Sequence, residues 1–265
     1  MVAIAWALVA HSLREDPLIS PHPFTALFAA VWAIYLFDRL YDTRKLVMQE
    51  DTPLRHGFTA RFRILFVVLL IVASGLAISS FPFLSPPIVR GGGILAGATA
   101  AYYIVFRFFR RFPDHFLMGP WKELTIALCF SVGIFLSVFP LPFTVVTGCL
   151  GLAMSSLFFG NCLRISLAEA GYDNRHDPAG FFSSSVRRHS RAIVLPPAFA
   201  FVISVYLILR GEVLPVGLSI LSTSILCFFI NLNRRIPEQL VQALADLSLL
   251  LPPLAVLGLE FILTR

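Results

Sequence analysis

The sequence predicts an all-α polytopic bundle of about nine membrane-spanning helices, and three observations carry that expectation. The chain of 265 residues is 57% hydrophobic and only 14% charged, with a mean hydropathy of +0.82; a water-soluble domain of this length needs far more polar surface. Its apolar residues come in continuous blocks of about 20, the length of helix that crosses a bilayer, and not in the alternation of a barrel strand. Charged residues or turn-forming proline and glycine separate the blocks. No polar linker divides the chain, so residues 1–265 read as one membrane-embedded domain.

The elements follow in order. Block 1–13 is short, and reads as a partial span, an interfacial helix or a span that starts upstream of Met1. It lacks a basic n-region and a small-residue cleavage site, so it is expected to be retained and not cut as a signal peptide. Block 22–41 starts at Pro21 and Pro23 and runs into Asp38 to Asp42; blocks 62–82 and 88–108 are parted by Ser85-Pro86-Pro87. Block 121–139 opens at Trp121-Lys122-Glu123 and stops before Pro140 and Pro142, whereas 143–168 runs on into an acidic stretch. Block 191–210 is stopped by Gly211, 213–232 by Arg234 and Arg235, and 238–263 begins behind Pro237.

Basic residues fix an orientation for these nine blocks, because cytoplasmic loops are enriched in Lys and Arg. Arg39, Arg44, Lys45, Arg55, Arg61, Arg63, Arg107, Arg110, Arg111, Lys122, Arg164, Arg175, Arg187, Arg188, Arg191, Arg234 and Arg235 fall on one side; Arg14, Arg90, Arg210 and Arg265 fall on the other. The N-terminus is therefore expected inside and the C-terminus outside. The net charge of +6 is a loop bias of this kind, and with no continuous basic stripe it gives no nucleic-acid partner.

Two acidic clusters lie on the side that this rule makes cytoplasmic. Asp38 and Asp42 are four residues apart at the end of the second block, and Glu169, Asp173 and Asp177 repeat the spacing after the sixth. Residues four apart share a helix face, so each cluster gathers carboxylates that would repel one another without a cation. Oxygen ligands suit Mg²⁺ or Ca²⁺, and Mg²⁺ fills its shell with water and substrate phosphates. A metal-bridged diphosphate is the sharpest reading. Taken singly, Asp38 and Asp42 equally mark a helix leaving the membrane with Arg39 as its anchor, and Glu169 to Asp177 equally form a solvated acidic loop balanced by Arg164 and Arg175.

Asp38-Arg39-x-x-Asp42 resembles the latter part of the first aspartate motif of the UbiA-type intramembrane prenyltransferases, and Asp173-x-x-x-Asp177 with Glu169 is similar to their second. The resemblance implies nine helices with both motifs cytoplasmic, and Mg²⁺-dependent transfer of an isoprenyl group from a diphosphate to a lipophilic acceptor. By position, Asp38 and Asp42 would hold one ion, and Asp173 and Asp177 a second, with Glu169 supplementary. Ile34 stands where the family has its leading Asn, and Tyr35 where Asp follows, which marks a divergent branch. Arg39, Arg44, Lys45, Arg55, Arg61, Arg63 and Lys122 are candidates to complete the anion site, and Asn161 and Arg164 to line the acceptor pocket. Asn161 is equally an interhelical hydrogen-bond partner, and Asp246, a carboxylate within the last span, is a candidate to pair with Lys122 or an arginine.

The remaining chemistry is sparse. Cys129, Cys149, Cys162 and Cys227 lie in apolar blocks without ligand spacing and read as small buried hydrophobes. His56, His115, His176 and His189 share no metal spacing, and Gly91-Gly92-Gly93 lacks a nucleotide-binding context. Two alternatives to an enzyme stand: an ion-coupled transporter whose carboxylates bind the translocated cation, and a catalytically silent UbiA-like binding protein.

Overall fold

The computed structural model describes residues 1–12, 20–44, 54–109, 119–138, 144–176, 193–211, 214–233 and 236–263. Those residues form ten α-helices: α1 (Val2–His11), α2 (Pro21–Asp42), α3 (Leu54–Arg61), α4 (Arg63–Ser80), α5 (Pro86–Phe109), α6 (Gly119–Ser137), α7 (Val145–His176), α8 (Leu195–Arg210), α9 (Leu214–Leu232) and α10 (Glu238–Leu263). Each of the nine apolar blocks is helical, and α3 is an additional helix in the basic stretch between α2 and α4. Six segments are long and apolar enough to cross a membrane: Pro21–Tyr41, Arg63–Phe83, Pro86–Val105, Val145–Ala168, Leu214–Leu232 and Leu240–Leu263. The apolar helices Val2–His11, Glu123–Ser137 and Leu195–Arg210 are shorter.

Local chemistry explains several boundaries. Pro21 occupies the first helical position of α2, where a missing N–H costs nothing. At the other end, the Arg39 carbonyl accepts both the Thr43 backbone N–H at 3.1 Å and the Thr43 hydroxyl at 2.8 Å, so the side chain adds a second bond to the helix end. Gly211 ends α8 in the left-handed region at φ 72°, the conformation that glycine adopts without a Cβ penalty. At the fourth residue of α9, a Cβ on Gly217 would stand 2.8 Å from Ile208 Cγ1, so only glycine lets α8 and α9 approach this closely. Gly160 does the same between α7 and the paired Pro196 and Pro197 that open α8, where a Cβ would meet proline carbons at 3.2 and 3.3 Å.

The core is built around the shortest of the apolar helices. α1 rises about 15 Å, half the hydrocarbon thickness, yet Ala3, Ala5, Trp6, Ala7, Val9, Ala10 and His11 are all buried. It packs chiefly against α10 and α6, with α2 beside it. The Trp6 ring meets Phe158 edge-on at 5.9 Å, and Phe158 meets Phe130 at 4.7 Å, which joins α1, α7 and α6 in one apolar cluster.

The one polar atom of Trp6 is matched to a defect in α10. Pro252 and Pro253 sit inside that helix; proline has no N–H, so the carbonyls four residues earlier, at Ser248 and Leu249, lose their helical donors. The Trp6 indole N–H donates to the Leu249 carbonyl at 2.8 Å in a buried contact. Trp6→Phe keeps the ring and removes the donor, leaving a buried carbonyl unsatisfied. It is expected to destabilise the protein by about 1–3 kcal/mol, read as a lower thermal midpoint of the purified protein in detergent.

A polar relay at one end of the bundle

Asp38 lies in the last turns of α2, half-buried, and accepts a hydrogen bond from the Tyr103 hydroxyl near the end of α5 at 3.4 Å. Phe37 meets the Tyr103 ring edge-on at 6.0 Å, and Tyr102 lies 5.8 Å from it. The Tyr102 phenol is within electrostatic range of both Asp38 and Glu123. Glu123, in the first turns of α6, is 4% exposed and accepts a hydrogen bond from the Ser166 hydroxyl of α7 at 2.9 Å. One hydrogen bond thus joins the end of α2 to the end of α5, and a second joins the start of α6 to the later part of α7, while α5 and α6 pack against each other.

The second acidic cluster begins just beyond this relay. α7 runs unbroken through Gly171 to His176, so positions 169 and 173 belong to one helix. At about 100° per residue they fall within about 60° of Ser166 around its axis. Asp42 is the last residue of α2 and Lys122 precedes Glu123 in α6, while the side chains of Asp42, Lys122, Glu169 and Asp173 lie outside the described residues. Lys45 and Asp177 lie outside them altogether. Among the described residues no group of three or more His, Cys, Asp or Glu is arranged to hold a metal.

Asn161 and Arg164 go elsewhere. Four-residue spacing drifts by about 40° per step on a 3.6-residue helix, so the ladder from Asn161 through Ile165 and Glu169 to Asp173 turns by about 120° and is not a single face. Asn161, 8% exposed, sits on the side of α7 away from Ser166 and donates to Asp246 Oδ1 of α10 at 3.5 Å. That makes it the interhelical partner which the sequence allowed, and supplies a partner for the Asp246 carboxylate. Asn161 and Arg164 line a small crevice with Pro197, Asn231, Cys227 and Ser248, between α7, α8, α9 and α10. Asn231 Nδ2 donates to the Ile193 carbonyl at 3.2 Å and ties the end of α9 to the approach to α8.

The arginines of α2 take a different direction again. The Arg39 guanidinium stacks over the half-exposed Tyr35 ring at 4.9 Å, and the Arg44 guanidinium over Tyr41 at 5.4 Å. Glu123, Ser166 and the Tyr102–Tyr103 pair were not singled out from the sequence. The readable signals were an acid within the first turns of an apolar block and two adjacent phenols near the end of another.

No family model, no curated protein and no solved structure matches this chain.

The two hydrogen bonds of the relay differ in weight. Ser166→Ala strips a 2.9 Å donor from a buried carboxylate and is expected to cost about 1.5–3 kcal/mol, as for bonds to charged groups. Tyr103→Phe removes a 3.4 Å contact to a half-buried acid, near the limit of hydrogen-bond geometry, and is expected to lower the thermal midpoint by less than half as much. Parallel unfolding of the two variants in one detergent gives the comparison.

Proposed function

We propose that this chain is a divergent UbiA-type intramembrane prenyltransferase, which moves an isoprenyl group from an isoprenyl diphosphate to a lipophilic acceptor. The observation that carries the reading is the hydrogen bond from Tyr103 to Asp38, with Tyr102 against the Tyr103 ring and with Glu123, bonded to Ser166, on α6, which packs against α5. It supports a common site for the acidic end of α2 and the acidic strip of α7, which is what a diphosphate held between two carboxylate groups requires. In this reading all nine apolar helices belong to the membrane bundle, with the N-terminus and both acidic motifs on the cytoplasmic side.

The donor set is chemically suited to magnesium, being carboxylate oxygen throughout. Asp38 and Asp42 would hold one ion, and Asp173 and Asp177 a second, with Glu169 beside them. Bound there, magnesium supplies Lewis-acid stabilisation of the charge that grows on the leaving diphosphate. The chain's own residues do the rest. The Tyr103 hydroxyl orients the Asp38 carboxylate, and Ser166 fixes Glu123 so that α6 and α7 keep their spacing. The rings of Phe37, Tyr102 and Tyr103 stand beside Asp38, where aromatic faces stabilise an allylic cation as its C–O bond breaks. The apolar walls of the bundle accept the prenyl tail and exclude water from that cation.

The test is Mg²⁺-dependent release of pyrophosphate from a panel of isoprenyl diphosphates by the purified protein. Asp38→Ala and Asp173→Ala are each expected to lower the rate by about 10²–10³-fold, the scale of losing one charge-stabilising group. Release that is absent for every donor, or equal in both variants and the parent, sinks the reading.

A second reading has its own support. Asp246 lies within a span, contacts Asn161, and precedes the internal Pro252–Pro253 pair by six residues; ion-coupled carriers place coupling groups within spans where the backbone hydrogen bonding is disturbed. If the chain is a carrier, Asp246→Asn abolishes ion-driven uptake in proteoliposomes; under the transferase reading the same substitution leaves pyrophosphate release within about threefold of the parent.

A further inference from the structure

The helix that the sequence did not anticipate is unlike the others. α3 is the least apolar helix of the bundle and follows α2 by a short connection. Thr59 turns inward and is 2% exposed, whereas Phe58 is 54% exposed and Phe62, at the α3–α4 junction, 39%. The rings of Phe58 and Phe62 lie 4.7 Å apart, and Phe66 extends the group at 6.1 Å from Phe58. Arg61 and Arg63 flank this aromatic group, both exposed, with the Arg61 guanidinium 5.7 Å from the Phe62 ring centre. Among the described residues neither makes a hydrogen bond or ion pair; stacking on Phe62 is the contact that holds Arg61.

An exposed guanidinium with no carboxylate against it among the described residues, beside exposed apolar rings, has two needs that one partner meets. The rings gain by entering hydrocarbon, and the guanidiniums gain by meeting a phosphate, which they bind through a planar fork. The boundary between acyl chains and headgroups offers both at once. Position agrees with this: α3 and the start of α4 pack against α2, whose terminal arginines Arg39 and Arg44 also stack on tyrosines at this end of the bundle. Basic clusters beside the end of a membrane helix attract anionic lipid, each charge being worth about fivefold in affinity.

We infer that the α3–α4 junction is an interfacial anchor for anionic phospholipid, with Phe58 and Phe62 seated at the acyl boundary and Arg61 and Arg63 on the headgroup phosphate. This inference is independent of the transferase reading. The test uses the full chain, purified, delipidated and titrated with phosphatidylglycerol or phosphatidylcholine in native mass spectrometry. Phosphatidylglycerol is expected to be retained at least fivefold over phosphatidylcholine, with that preference falling at least fivefold in the Arg61→Gln/Arg63→Gln variant and surviving in Arg61→Lys/Arg63→Lys. Should the glutamine variant fail to fold, the parent protein still decides: its preference must shrink as salt rises toward about 1 M, where charge is screened within about 3 Å. Equal retention of the two lipids, a preference untouched by both salt and substitution, or displacement of the lipid by inorganic phosphate at equal concentration would overturn the inference, the last because it identifies a free-anion site.

Discussion

The bond from the Trp6 indole to the Leu249 carbonyl is the constraint around which the bundle is organised. A ten-residue helix cannot cross a bilayer alone, and a helix with two internal prolines cannot satisfy its own backbone. In hydrocarbon there is no water to repair either fault. The two defects meet: α1 lies inside protein and contributes one of the two donors that α10 lacks, while α10 covers the flank that α1 would otherwise expose. Phe158 and Phe130 then extend the Trp6 contact to α7 and α6, the two helices that carry Ser166 and Glu123. The geometry of the polar relay therefore depends on an apolar contact several turns away from it.

α7 shows how one helix serves two sites. From Asn161 to Asp173 the drift of a 3.6-residue helix carries a four-residue ladder a third of the way around the axis. Asn161 consequently faces α10 and Ser166 faces α6, although five residues separate them. Gly160 completes the division, because its missing side chain lets Pro196 and Pro197 close against α7 on the Asn161 side. The crevice lined by Asn161 and Arg164 thus lies on the side of α7 away from Ser166.

What could be read from the sequence follows what hydropathy encodes. Block lengths and proline or glycine breaks located nine apolar helices, because leaving a backbone unsatisfied in an apolar medium is costly enough to dominate every other local preference. The acidic spacing placed Glu169 and Asp173 on one helix for the same reason: α7 continues through Gly171, which costs only about 1 kcal/mol relative to alanine. The partners of those acids were not legible. Glu123 and Ser166 lie 43 positions apart, and only helix packing brings them together. α3 escaped notice because Leu54 to Arg61 is too polar and too short to register as a span, and an interfacial helix is defined by which side of it is wet. The burial of α1 was equally hidden, since half-spans and interfacial helices share a composition.

The directions taken by the arginines of α2 bear on how a diphosphate would be held. On a helix, Asp38 and Arg39 point about 100° apart, and the structure turns Asp38 toward Tyr103 while Arg39 lies back over Tyr35. Under the proposed transferase reading Tyr35 stands in place of an acid, and its ring stacks the neighbouring guanidinium. A carboxylate at 35 would instead pair with Arg39 as an i, i+4 ion pair and draw it toward the acidic face. Under that reading the exchange would remove one negative charge from the carboxylate group and, through the same side chain, hold a positive charge over the ring and away from it. Such a coupling would keep the charge around Asp38 balanced with the leading acid absent.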